Sequence, residues 1–250
     1  MSQWRLSIID TRGKKVKHFT TWLAGELAGW KKAEVLWILF CLAATAEIAL
    51  SLDDSIMGLT AAVTGILYTL LAGKGKISCY LFGIVNVLFY GWISLEQRLY
   101  GEVMLNWRWY LPMMFAGWFC WKRHLDKVQT IRKTALSPKA RLFYIIFTLA
   151  GIAIYAIILR KMNDSQPWVD SATTVLSITA MILTVKRCAD QWLIWPTVNI
   201  LSIWMWIRAC QLTGGSMAVL AMWLLSLANG IIFYIQWNRD IKQCQKTEQI

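Results

Sequence analysis

Eight stretches of predominantly apolar residues follow one another along the chain, separated by short polar segments. They run 33–52, 55–73, 77–96, 102–121, 141–160, 168–185, 191–210 and 216–237. A helix needs about 20 such residues to cross the hydrocarbon core of a bilayer, so each stretch predicts one transmembrane helix. Two of them are imperfect. The stretch 168–185 is short and rich in Ser and Thr, and 102–121 carries Asn106 and Arg108 near its start.

The same pattern repeats within the chain. Shifted by 113 residues, 60–121 aligns with 173–234 without a gap, with ten identities that include Asn86/Asn199, Gly101/Gly214 and Gly117/Gly230. In both copies the asparagine lies mid-span inside V-N-[VI]-L. Each copy covers three spans, so the fold class predicted is an all-α polytopic membrane bundle built from two parallel three-helix repeats. Two units separated by four crossings enter the membrane in the same sense, as in transporters whose halves are related by an axis along the membrane normal. The organisation that follows is a cytoplasmic N-terminus with an extra first helix (1–54), a first repeat (55–121), and a basic loop with a linker helix (122–165). A second repeat (166–237) and a cytoplasmic tail (238–250) complete the chain.

Composition narrows the class further. Apolar types make up 57% of the 250 residues and charged types 16%, against about a quarter charged in soluble domains. The net charge of +12 would suggest nucleic acid in a soluble protein, but here the basic residues fall between the apolar runs. With eight spans, 21 of the 26 Lys and Arg lie on one side and 4 on the other. The positive-inside rule therefore places both termini in the cytoplasm. The six cysteines show no CxxC spacing and the two histidines are isolated, so neither a disulfide framework nor a metal site is indicated. Residues 1–32 hold seven Lys and Arg and no apolar core of signal-peptide length. Of the sixteen tryptophans, Trp30, Trp37, Trp121, Trp168 and Trp237 fall near span ends, the expected position of an interfacial belt.

Candidate chemistry lies at mid-membrane. An amide in hydrocarbon must face a partner, water or a solute. At about 100° per residue, Trp192, Trp195, Asn199 and Trp206 share a narrow face of the seventh span, and Cys79, Phe82, Asn86 and Tyr90 a face of the third. Aromatic faces beside one amide suit a flat polar ring, stacked on its faces and hydrogen-bonded at its edge. Pro112 and Pro196 interrupt two spans as hinge or kink points. Glu47 is the best candidate for a buried relay acid, whereas Glu102, Asp170 and Asp190 sit at span ends where water would solvate them. No Walker sequence is present, and no span contains a histidine or paired aspartates, so an intramembrane enzyme or an ATP-driven pump is disfavoured.

The run Trp192-Leu-Ile-Trp195-Pro-Thr-Val-Asn199 fits W-x-x-W-x-x-x-N. In the penultimate helix of a 3+1+3 bundle, this resembles the PnuC family of bacterial nicotinamide riboside transporters. The resemblance covers roughly 55–240; the added first helix departs from a bare seven-helix arrangement. It implies a SWEET-like fold in one chain, residence in the bacterial inner membrane, and facilitated diffusion of the riboside with trapping by a cytoplasmic kinase. It also implies substrate contacts at Trp192, Trp195 and Asn199. The helical-face reading adds Asn86, Phe82, Tyr90 and Trp206 to the substrate-binding set, and Gln191 joins it by adjacency. No cofactor is called for, and a homo-oligomer is compatible with small-residue spacings in several spans. A thiamine or riboflavin carrier, a SWEET-type sugar facilitator and a receptor subunit are the rival readings.

Overall fold

The structure is a computed structural model, described for residues 24–26, 28–126, 130–161 and 167–247. It is helical throughout its apolar runs: α1 (Lys32–Ser51), α2 (Ile56–Lys74), α3 (Cys79–Glu96), α4 (100–122), α5 (Pro138–Lys161), α6 (Pro167–Val185), α7 (Gln191–Thr213) and α8 (Met217–Thr247). Seven of these are individually long and apolar enough to cross a membrane. The exception is α4, which is continuous but changes gauge: an α-turn (Tyr100–Met104), a wide π-turn (Leu105–Tyr110) and an α-helix (Leu111–Lys122). Pro112 has no N–H to offer the carbonyl four residues back, and the π-turn just before it accommodates that missing bond.

Local signals explain where the other helices start and stop. Ser55 caps α2 by accepting from the Gly58 N–H at 2.9 Å, and Gly75 ends the helix in the left-handed region at φ +81°. Gly214 ends α7 in the same way at φ +66°. Asp54, in the turn before α2, accepts from Ser216 Oγ and the Ala218 N–H, each at 2.8 Å. It thereby satisfies the otherwise unpaired first turn of α8.

Packing follows the repeat. Within each unit α2 packs on α3 and α3 on α4, as α6 packs on α7 and α7 on α8; between units, α2 meets α8 and α4 meets α6. Two glycines matched by the repeat permit the close approach inside each unit. A Cβ on Gly117 would meet the Tyr80 ring at 2.2 Å, and one on Gly230 would meet Pro196 Cγ at 3.1 Å. Tyr68 and Met181, also 113 apart, touch each other, Oη to Sδ 3.9 Å. Equivalent residues can meet only near the axis that relates their units, so the axis runs through this contact.

The two helices outside the repeat are not alike in their anchoring. Helix α1 lies against α2 and α8, held by Trp37 Nε1 donating to Asn229 Oδ1 at 2.8 Å. Helix α5 packs on α6 and turns Phe143, Phe147, Leu149 and Ile154 outward, a lipid-facing surface. Each precedes a repeat and flanks its first helix. The extra N-terminal helix is thus the counterpart of the linker helix.

Two of the expected interfacial tryptophans do not face outward. Trp121 and Trp237 are fully buried. Trp121 Nε1 donates to the Thr184 carbonyl at 3.0 Å and Trp237 Nε1 to the Gly73 carbonyl at 2.6 Å. The last carbonyls of a helix lack intrahelical donors, and here an indole from the other unit supplies one in each half. Trp168, 56% exposed, fits the belt.

Candidate functional site

A cavity lies between the two units, between helices of a bundle, where small-molecule sites commonly form. All six repeat helices line it, while α1 and α5 contribute nothing. Its α7 wall is Gln191, Trp192, Trp195, Val198, Asn199 and Ser202; facing it are Asn86 and Tyr90 of α3 and Tyr110 of α4. Repeat-matched residues stand across the axis from one another: Tyr68 and Met181, Asn86 and Asn199, Tyr110 and Trp223. The chamber is therefore the space that the pseudo-two-fold encloses.

The polar groups in this chamber fall into two kinds. Some are spent on structure. Asn86 Nδ2 donates to the Ala61 carbonyl at 2.8 Å and approaches Met222 Sδ at 3.7 Å, tying α3 to α2 and α8. Thr184 accepts from Trp195 Nε1 at 3.1 Å and donates to Gln191 Oε1, which fixes one indole and one amide. Tyr90 accepts from Trp206 Nε1 at 2.7 Å.

Others are left open. Gln191 Nε2 and Trp192 Nε1 are buried without a hydrogen-bond partner, and Trp223 Nε1 and Ser177 Oγ meet only the Tyr90 and Tyr110 phenols, outside good hydrogen-bond geometry; all four residues line the cavity. Asn199, only 3% exposed, makes no side-chain hydrogen bond among the described residues. A buried unpaired donor costs about 1–3 kcal/mol, so a cluster of them around one space is poised for a bound polar solute or water. Aromatic rings surround these groups: Tyr110 lies 6.2 Å from Trp195, and Tyr90 5.9 Å from Trp223.

Charge is nearly absent. No Lys, Arg or His is found among the described lining residues; the single ionisable acid is Glu102, 8% exposed. Asn106 Nδ2 donates to the Glu102 carbonyl at 2.9 Å, bracing the turn that carries it.

One end of the chamber, its floor, is crossed by the α4–α5 loop. Ile131 N donates to the Gly75 carbonyl at 3.1 Å, Thr134 N to the Arg187 carbonyl at 2.9 Å, and Ala189 N to the Thr134 carbonyl at 2.8 Å. The loop is thus stitched to both units. Asp190, just before α7, accepts from the Leu136 N–H and from Arg141 Nε. Burial alone would raise the Asp190 carboxyl; the Leu136 N–H, Arg141 and Cys188 more than offset this and hold it below the usual range.

A family profile described as nicotinamide mononucleotide transporter matches residues 55–239. The nicotinamide riboside transporter PnuC of Neisseria mucosa is 34% identical over 241 residues, covering 94% of this chain and 92% of that one. Its counterpart in Haemophilus influenzae is 30% identical, covering 87% and 94%. A crystal structure of the vitamin B3 transporter PnuC superimposes with a TM-score of 0.81 at 35% identity, over 89% of this chain and 97% of that one. The chain belongs to the PnuC family. It is a multi-pass membrane protein and a transporter.

Among the residues expected at the PnuC-type site, Trp192, Trp195, Asn199, Asn86, Gln191 and Tyr90 line the chamber together. Trp206 does not; it is fully buried behind Tyr90, which it orients. Phe82 is not a lining residue either. The α3 wall is Asn86, Val87 and Tyr90, an arc of about 100° that begins at Asn86, and Phe82 lies about 40° outside it. Phe82 matches Trp195 in the repeat, so at this one position α7 presents a ring to the chamber where α3 does not. Sequence reasoning missed Glu102, Asn106, Ser177 and Thr184. The first two looked like polar span ends, and the others were indistinguishable from the many hydroxyls of α6.

Proposed function

We propose that this transporter carries nicotinamide riboside by facilitated diffusion across a bacterial inner membrane, both termini facing the cytoplasm. The observation that carries the reading is the chamber's chemistry: aromatic walls, several unpaired N–H donors, and no cation among the described lining residues. A pyridinium ring has delocalised positive charge that indole and phenol faces attract, by about 0.5–2 kcal/mol each. Its carboxamide offers both a donor and an acceptor, which match the open amides of Asn199 and Gln191. Trp192 and Trp195 supply the stacking surface, Tyr110 backs Trp195, and Asn86 and Tyr90 close the opposite wall.

The same chemistry separates the riboside from its 5′-phosphate. A phosphomonoester carries close to two negative charges at neutral pH and would enter a chamber with no cation among its described lining residues, beside Glu102. Burial of an anion without a partner costs several kcal/mol. The family profile's mononucleotide is therefore the poorer ligand for these residues. Accumulation would come from a cytoplasmic kinase: once phosphorylated, the product no longer fits the chamber through which it came.

Proteoliposomes holding the purified protein test the reading. Labelled riboside should equilibrate, with saturation and counterflow, and imposed proton or sodium gradients should not concentrate it. Unlabelled riboside should compete and its mononucleotide should not. Inhibition by thiamine or glucose with the riboside inert would refute the assignment.

A further inference from the structure

We infer that Glu102 is the counter-charge of the transported cation and so sets the charge specificity of the chamber. This rests on the riboside reading above and names the residue that answers the ring's positive charge. The inference begins from an electrostatic imbalance. Glu102 lines the cavity at 8% exposure, and no salt bridge to it occurs among the described residues. The groups that bear on it are the Tyr90 hydroxyl from α3 and the carboxylate of Asp170 from α6, with the Tyr110 phenol on its own helix. None is a cation, and one is a second acid.

Structural carboxylates elsewhere in this protein are treated differently. Asp190 is met by Arg141 and a backbone N–H, Glu34 by Lys74, and Asp54 by a hydroxyl and a backbone N–H. Glu102 alone among these faces an open chamber. A buried carboxylate lacking a positive partner is costly, and the cost disappears when a cation occupies the space it faces. The surrounding wall keeps that cation from being a metal ion. Trp192, Trp195, Tyr110 and Trp223 leave room for a flat organic ring, and the described residues hold no cluster of metal-binding side chains. An aromatic organic cation satisfies the carboxylate and the rings at once.

A ligand pair of nearly equal size and opposite charge status isolates this role: the riboside itself, and its reduced form, in which a hydride added at ring C4 gives the uncharged 1,4-dihydropyridine. Binding of each to purified wild type, Glu102→Gln and Glu102→Asp is measured by calorimetry, with thermal unfolding to establish that each variant is folded. Glu102→Gln keeps shape and hydrogen bonding but not charge. It should weaken the cationic riboside at least tenfold and leave the neutral ligand within about twofold. Glu102→Asp should retain more than half of the lost discrimination. Equal weakening of both ligands by Glu102→Gln would make the residue a ribose contact and overturn the inference, as would no effect on either. A wild-type protein that binds neither ligand would instead overturn the riboside reading, and this inference with it.

Discussion

Asn86 and Asn199 occupy equivalent positions in the two units, yet they should respond to substitution in opposite ways. Asn86 Nδ2 is engaged with the Ala61 carbonyl, so Asn86→Ala removes an interhelical bond and opens a small void. Interhelical hydrogen bonds in membranes contribute about 0.6–2 kcal/mol, and in a chain of this size each kcal/mol moves the melting point by about 2–4 °C. A drop of a few degrees is expected without ligand. Asn199 has no such bond to lose. Asn199→Ala should leave the melting point of the empty protein within about 1 °C, or raise it slightly, because an unpaired amide has been removed. Its cost should appear on binding: one or two hydrogen bonds to a buried carboxamide amount to about 1–3 kcal/mol, or roughly a 5- to 150-fold weaker Kd. Thermal unfolding of detergent-solubilised protein with and without riboside, together with calorimetry, reads both quantities. If Asn199→Ala destabilises the empty protein as much as Asn86→Ala while affinity is unchanged, the division of labour between the two amides is wrong.

Trp192→Phe should weaken riboside binding less than Trp192→Ala, since the phenyl keeps a stacking face and loses only the N–H; equal losses in calorimetry would argue against stacking. Gly117→Ala should destabilise the fold by at least about 1–3 kcal/mol through overpacking, because the Tyr80 ring stands 2.2 Å from the new methyl; an unchanged melting point would contradict the packing described. The floor should be acid-sensitive. Because the Asp190 carboxyl is held below its usual range, its contribution is present above the unfolded value of about 4 and is lost as pH falls through the folded value. Wild type should therefore lose its stability advantage over Asp190→Asn on acidification below about pH 4, and a gap that widens there would refute this.

Much of the architecture was legible because the bilayer imposes a length on every crossing. The edges of α1 at Lys32 and Ser51 fall within one residue of the expected run. The α7 wall was legible too, since a single helix face needs only the 3.6-residue period to bring Trp192, Trp195 and Asn199 together. What failed to show was whatever depends on a neighbouring helix. Depth in the membrane says that Asn86 needs a partner, not that the partner is the Ala61 carbonyl. Trp121 and Trp237 sit at span ends as belt residues do, and only the packing of α4 on α6 and α8 on α2 turns them inward. Glu102 reads as a solvated terminus until the π-turn after it and the Asn106 bond are seen to hold it over the chamber. The kinship of α1 with α5 shows only in their placement, each packed beside the first helix of a repeat.

The most direct test is a high-resolution map of the protein soaked with nicotinamide riboside. Density for the ring should lie between the two units, stacked on Trp192 or Trp195 with its carboxamide at Asn199. Ligand density seated outside the six repeat helices, with Asn199 still unpaired, would contradict the account.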